Sequence, residues 1–173
     1  MNIPTVSGAG NLPKVVLVAQ DGARAEIYLQ GAHLTSWIPA GAQGDRLFLS
    51  ARSRFSAGPM DDGGAGYRDK VLDRDDCRES EPELRIADAI DRVYRMAPQN
   101  LEVPERARSL AIRACGFPDT VVWNPGAAAA ASLADLEPGG EQRMLCVEAA
   151  AAAVPVVLAA GATWRGSQRL TAR

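Results

Sequence analysis

Ala25-Glu26-Ile27-Tyr28-Leu29-Gln30 alternates between two sets of side chains along its whole length. A period of two belongs to an extended strand, so Ala25, Ile27 and Leu29 are expected on the core face and Glu26, Tyr28 and Gln30 on the other. Upstream, Lys14 to Ala19 (KVVLVA) is a β-branched run closed by Asp21-Gly22, a favoured turn pair. Downstream come His33 to Pro39 (HLTSWIP), a glycine-rich turn over 40–45, and Arg46 to Ser50 (RLFLS). Short strands at a spacing of roughly ten residues predict an antiparallel sandwich or barrel.

The texture then changes. Residues 51–80 show little periodicity, and Gly58-Pro59, Asp61 to Gly64 and Asp73 to Asp76 are turn-forming clusters. A structureless stretch of that length inside a compact domain marks a functional loop or a missing element. From Glu83 onward strands are expected again, at Asp91–Ala97, Ser109–Cys115, Thr120–Pro125, Arg143–Ala149, Val154–Ala159 and Trp164–Ala172. Ala127 to Ala131 and Ala149 to Ala153 favour helix by propensity. Their flanks are strand-like, and tertiary context overrides propensity, so the expected class is all-β.

With 173 residues, 47% hydrophobic and 23% charged, the chain suits one globular domain. A formal net charge of −2 gives no electrostatic reason to expect nucleic acid or an anionic membrane as partner. Lys14 and Lys70 are the only lysines, and the remaining positive charge is arginine, a bias attributable to GC-rich coding. Cys77, Cys115 and Cys146 are widely and irregularly spaced and form no CxxC pair or His/Cys cluster, which argues against zinc and against a disulfide framework. Met1 to Gly10 lacks the basic and apolar regions of a secretory signal, and no apolar run approaches the roughly 20 residues of a membrane span. The expected location is the cytoplasm.

Five segments resemble the hexose-6-phosphate mutarotase branch of the aldose 1-epimerase superfamily. They are Leu12 to Leu17 (LPKVVL), Gly31 to Trp37 (GAHLTSW), Ala87 to Tyr94 (ADAIDRVY), Gly116 to Pro125 (GFPDTVVWNP) and Met144 to Ala150 (MLCVEAA). Thr163 to Gln168 (TWRGSQ) is similar to the family's terminal strand. The resemblance implies an antiparallel β-sandwich of the galactose-mutarotase-like, or supersandwich, type. It implies an incomplete one: a single domain over 11–173, with 1–10 as a tail and an internal deletion at a junction near 59–64. There the family continues into an Arg-Gly-Gly segment and several central strands, whereas this chain passes to Gly64–Val71 (GAGYRDKV).

The implied activity is that of a glucose-6-phosphate 1-epimerase, interconverting the α and β anomers of a hexose 6-phosphate or a related sugar. A base takes the proton from the C1 hydroxyl and an acid protonates the ring oxygen, so both groups must reach into one pocket. No metal or other cofactor is expected. By the resemblance Glu148 is the general base. It is expected at a strand end, with Val147 and Ala149 shielding it partly from water, a setting that suits a carboxylate base. Asp91 matches a substrate-binding aspartate, with pairing to Arg92 as its structural alternative, and Asp88 is a weaker candidate shifted in register.

The family's acid is a histidine in a His-Thr-Tyr-Phe setting on a central strand, which this chain lacks. Its one histidine, His33, matches a position that is not the acid. The phosphate-binding arginines are also missing, with Arg52, Arg54 and Arg68 near the junction. Loss of a positioned acid costs roughly 10²–10⁴-fold in rate. The alternative function is therefore a catalytically dead carbohydrate-binding remnant or truncated fragment. Excised central strands would leave unpaired sheet edges through which copies could self-associate.

Overall fold

The computed structural model describes residues 4–8, 11–29, 33–47, 54–57, 66–81, 83–104, 109–134 and 136–173. The junction near 59–64 and Arg52 lie outside them. The described residues divide into two compact units, Met1–Leu49 and Ser50–Arg173. Nearly all regular structure is antiparallel β, the class the sequence predicts.

The first unit is one sheet of four strands in chain order: β1 (Thr5–Ser7), β2 (Pro13–Val18), β3 (Arg24–Tyr28) and β4 (His33–Ile38). β1 falls within the stretch read as a tail. The turn between β2 and β3 uses Gly22 at φ 87° and Asp21, whose Oδ1 accepts the Ala23 N–H at 3.0 Å. A bulge between Glu26 and Ile27 shifts the β3–β4 register, and the strand stops at Tyr28. Leu29, expected in the core, is therefore exposed. Arg46 and Leu47 do not start the expected strand over 46–50, whose remainder lies outside the described residues. Instead the Asp45 carboxylate accepts the N–H groups of Trp37 and Leu47 at 2.9 and 3.0 Å, stapling the turn to β4.

The second unit holds two five-stranded sheets of a β-sandwich. One runs β14 (Ser167–Ala172), β11 (Ser109–Cys115), β10 (Asn100–Pro104), β5 (Arg54–Ala57), β8 (Glu83–Arg85). The other runs β13 (Cys146–Ala150), β12 (Asp119–Asn124), β9 (Ile90–Arg95), β6 (Gly66–Asp69), β7 (Arg74–Arg78). Each contributes one row of buried side chains: Leu84, Leu101, Val103, Leu110 and Ile112 from the first, Tyr67, Ile90, Tyr94 and Val122 from the second. The alternation is that of strands packed on one face. Val103 and Val122 are fully buried, each worth roughly 1.5–3 kcal/mol of hydrophobic stabilisation.

Three strands, β5, β6 and β7, occupy the stretch that reads as loop. β7 is an edge strand of sequence RDDCR, where charge serves the edge and hides the period. β6 buries Tyr67 and Asp69, so a polar residue stands where the pattern would show an apolar one. β10, preceded by Pro98 and ending on Pro104, is also absent from the expected strands. The two alanine runs part company: Gly126–Ala130 forms one helical turn, α1, while Ala149 and Ala150 end β13.

Buried Asp69 is held by Arg92, whose Nε donates to it at 3.1 Å. Arg92 also donates to Glu79 at 3.0 Å and stacks over the Tyr67 ring, 4.4 Å from its centroid. Tyr94 donates its hydroxyl to the same Glu79 at 2.9 Å, and burial pushes its phenol well above the usual range. This network ties β6, β9 and the end of β7 on the core face. Arg92→Met strands Asp69 and Glu79 without a counter-ion, and the urea midpoint of the second unit is expected to fall by the equivalent of about 3–5 kcal/mol. A loss below 1 kcal/mol would show that the network is not holding the sheet.

Candidate active site

Neighbouring residues of a strand point to opposite faces, and the register of β9, β12 and β13 fixes which meet. Asp91 lies opposite Trp123, Val93 opposite Val121, and Val121 opposite Glu148. Asp91, Trp123 and Glu148 therefore share the face turned away from Tyr94 and Val122. Two strand spacings and one two-residue step separate the Cα atoms of Asp91 and Glu148 by about 12 Å. Their side chains line one cleft of about 740 Å³, together with Arg68, Lys70, Arg95 and Trp123.

The register also settles the partner of Asp91. Arg92, its expected alternative, lies on the core face. Asp91 instead meets Lys70, which follows β6: the Lys70 N–H donates to the Asp91 carbonyl at 2.8 Å, and its Nζ pairs with Oδ2 at 2.7 Å. Arg68, two residues earlier on the same face, pairs with Asp73 and Asp75, both at 2.6 Å. Arg95 pairs with Asp75 and Asp76. Asp73 and Asp76 take positive φ of 50° and 56°, so what reads as a loop cluster is the bend carrying carboxylates to these arginines.

Glu148 sits at the centre of β13 rather than at a strand end, and it is exposed. The partial shielding expected from Val147 and Ala149 is absent because both lie on the opposite face. Among the described residues Glu148 makes no hydrogen bond or ion pair, which leaves it free to accept a proton from a ligand. Cys146, two residues earlier on the same strand and face, feels its charge. Burial, and then the Glu148 charge, push the Cys146 thiol up to about 11.

Two buried side chains set where β13 starts and stops. Asp119 accepts the N–H groups of Ala152 and Ala153, both at 2.8 Å through Oδ2, drawing the chain off the sheet after Ala150. Those alanines line the cleft, and the capture prevents the expected strand over 154–159: Val154, Val157 and Leu158 are exposed and unladdered. Asn124 donates to the carbonyls of Glu141 and Met144 at 2.8 and 2.7 Å, folding 140–144 into a turn and delaying β13 to Cys146. Gly126 has φ 65°, and a Cβ there would come within 2.7 Å of the Ala89 nitrogen. Only glycine fits.

Of the sequence candidates, Asp91 and Glu148 come together. Asp88 does not: it accepts the Ala89 N–H at 2.8 Å and borders a different cavity with Asn124 and Glu141. His33 begins β4 in the first unit, with its side chain outside the described residues. Arg54 lies on β5, its side chain likewise undescribed. Lys70 and Trp123 line the cleft without having been sequence candidates, although Trp123 was legible through the alternation Val121–Trp123. Among the described residues no group of three or more His, Cys, Asp or Glu side chains is placed to hold a metal ion, and no helix is long and apolar enough to cross a membrane.

In the second unit Asp91 and Glu148 thus share one open face of an antiparallel β-sandwich. The chain belongs to the aldose 1-epimerase family, which it matches over residues 65–171. A protein of Cenchrus ciliaris named "Putative glucose-6-phosphate 1-epimerase" is 32% identical over 108 residues, 61% of this chain. The match takes in 33% of that relative, so the chain spans about a third of its length. Two crystal structures share the fold. A "putative mutarotase" from Salmonella typhimurium has TM-score 0.65 at 15% identity, covering 84% of this chain and 88% of its own. HI1317 has TM-score 0.70 at 11% identity, covering 100% of both chains.

The Cys146 environment is testable through its chemistry. Near pH 8 its thiol is protonated, so the exposed Cys115 is expected to react with a thiol reagent first and Cys146 only as the pH nears 11. Glu148→Gln removes a neighbouring negative charge and moves that reactivity to lower pH. By linkage, the raised value adds stability below the ordinary thiol range that drains away as pH climbs through 11. Equal labelling of Cys115 and Cys146 at pH 8 would contradict this placement.

Proposed function

We propose that this chain interconverts the anomers of an aldose, with a hexose 6-phosphate as substrate, in the cytoplasm and without a metal. The observation that carries the reading is the convergence of Asp91 and Glu148, two strands apart, on one cleft. Glu148 takes the C1 hydroxyl proton. Asp91 holds sugar hydroxyls through Oδ1, which among the described residues has no hydrogen bond. Trp123, half-buried between Asp91 and Cys146 in register, offers a flat apolar face to the C–H side of a pyranose. Arg68 and Arg95 are the arginines on the wall that a phosphate could draw from their aspartates.

Family membership and the name carried by the Cenchrus ciliaris relative support the substrate class. The second reading is sugar binding without turnover, favoured by a cleft that holds no histidine among the described residues. The two are separated by exchange NMR between α- and β-glucose 6-phosphate. Wild-type protein is expected to speed exchange above the spontaneous rate, Glu148→Gln to lose about 10²–10⁴ of kcat, and Asp91→Asn to raise KM. Saturable binding with exchange at the spontaneous rate would establish the second reading.

A further inference from the structure

Ring opening requires an acid as well as a base, and among the described residues no histidine lines this cleft. The side chains lining it that carry a transferable proton at neutral pH are limited. Arg68 and Arg95 are guanidinium groups, which do not deprotonate in proteins, and each is locked to two aspartates. Asp75 is engaged with both of them. Lys70 remains, half-exposed in the cleft, its ammonium held by one contact to Asp91 Oδ2 at 2.7 Å.

The composition sharpens the point. Of 19 basic residues all but Lys14 and Lys70 are arginine. Lys14 forms an ordinary ion pair with Glu26 on the first sheet, a role arginine also fills there, since Arg24 contacts the same carboxylate. Lys70 stands where the chemistry separates the two residue types. Lysine can give up and regain a proton, and arginine cannot. In register, Lys70 extends the row Asp91–Trp123–Cys146, while Glu148 closes the adjacent row Arg68–Val93–Val121. Base and ammonium thus stand at opposite ends of the Asp91–Trp123 floor, and the long lysine stem reaches back over Asp91.

We propose that Lys70 is the acid that protonates the ring oxygen, an assignment that rests on the mutarotase reading above. Glu148 removes the proton from the C1 hydroxyl, and the freed O–H electron pair forms the C1 carbonyl. The C1–O5 bond breaks, its pair stays on O5, and O5 takes a proton from Lys70 Nζ, leaving a neutral amine. After rotation about C1–C2 the amine removes the O5 proton, O5 attacks the other face of C1, and the carbonyl oxygen recovers the proton from Glu148. Both groups return to their starting states. Asp91 aims the ammonium through Oδ2 and holds the sugar through Oδ1.

The test is anomer exchange with glucose and glucose 6-phosphate in wild type, Glu148→Gln, Lys70→Arg, Lys70→Ala and Lys14→Arg. Lys70→Arg keeps the charge and the Asp91 pair but not the transferable proton, so kcat is expected to fall at least about 100-fold with KM within threefold. Added primary amines should restore Lys70→Ala, the more acidic amines at lower concentration, and Lys14→Arg should match wild type. Circular dichroism and sugar-induced shifts check that each variant folds and binds. If Glu148→Gln is dead while Lys70→Arg keeps more than a fifth of wild-type kcat, the lysine assignment falls and the mutarotase reading stands. Wild-type exchange at the spontaneous rate overturns both.

Discussion

The site depends on one backbone constraint: β12 sits between β9 and β13 in a register that sets Trp123 against Asp91 and Val121 against Glu148. The period of two makes this all-or-nothing. A slip of one residue on either side would send one carboxylate to the core face, where Tyr94 and Val122 are packed. The register is held from both faces. On the core side, Val122 and the Arg92–Asp69–Glu79–Tyr94 network resist slippage of β9 against β6. At the strand ends, Asn124 and Asp119 bind backbone groups on either side of β13 and fix where it starts and stops.

Charge is distributed around this frame by the same alternation. Every other residue of β6 and β9 faces the cleft, so Arg68, Lys70, Asp91 and Arg95 meet there while Asp69 and Arg92 pair on the far side. Each wall cation has a carboxylate partner. A ligand must therefore compete for groups already satisfied, except at Glu148 and at Asp91 Oδ1, where nothing competes among the described residues. Among the described residues every buried apolar side chain belongs to the second unit. Val6, Leu17 and Val18 are exposed on the sheet of the first unit, and Val154, Val156, Val157 and Leu158 beyond β13.

Much of this was legible in the residues. The all-β class, the turn at Asp21-Gly22 and the strands around VVWNP and CVEAA follow from alternation and turn chemistry. Asp91 and Glu148 were singled out through the resemblance of their segments, and the register of β9, β12 and β13 puts them on one face. The rest was hidden for physical reasons. β6 carries a buried Asp69 and β7 is a charged edge, so neither shows an apolar period. Val154 to Leu158 has a strand's composition but no ladder, because Asp119 pulls its N-terminal flank off the sheet. Lys70 stood out in composition, yet only the ion pair with Asp91 gives it a place in the cleft.

The central claim is that a sugar binds on the open face of β9, β12 and β13, against Asp91 and Glu148. Intermolecular NOEs from a bound hexose to methyl-labelled protein test it directly. The account predicts contacts from ring protons to the Val93 and Val121 methyls and to the Trp123 indole, with none to Val122 or Leu101. Contacts confined to the first unit, or to residues of the core-facing rows, would contradict it.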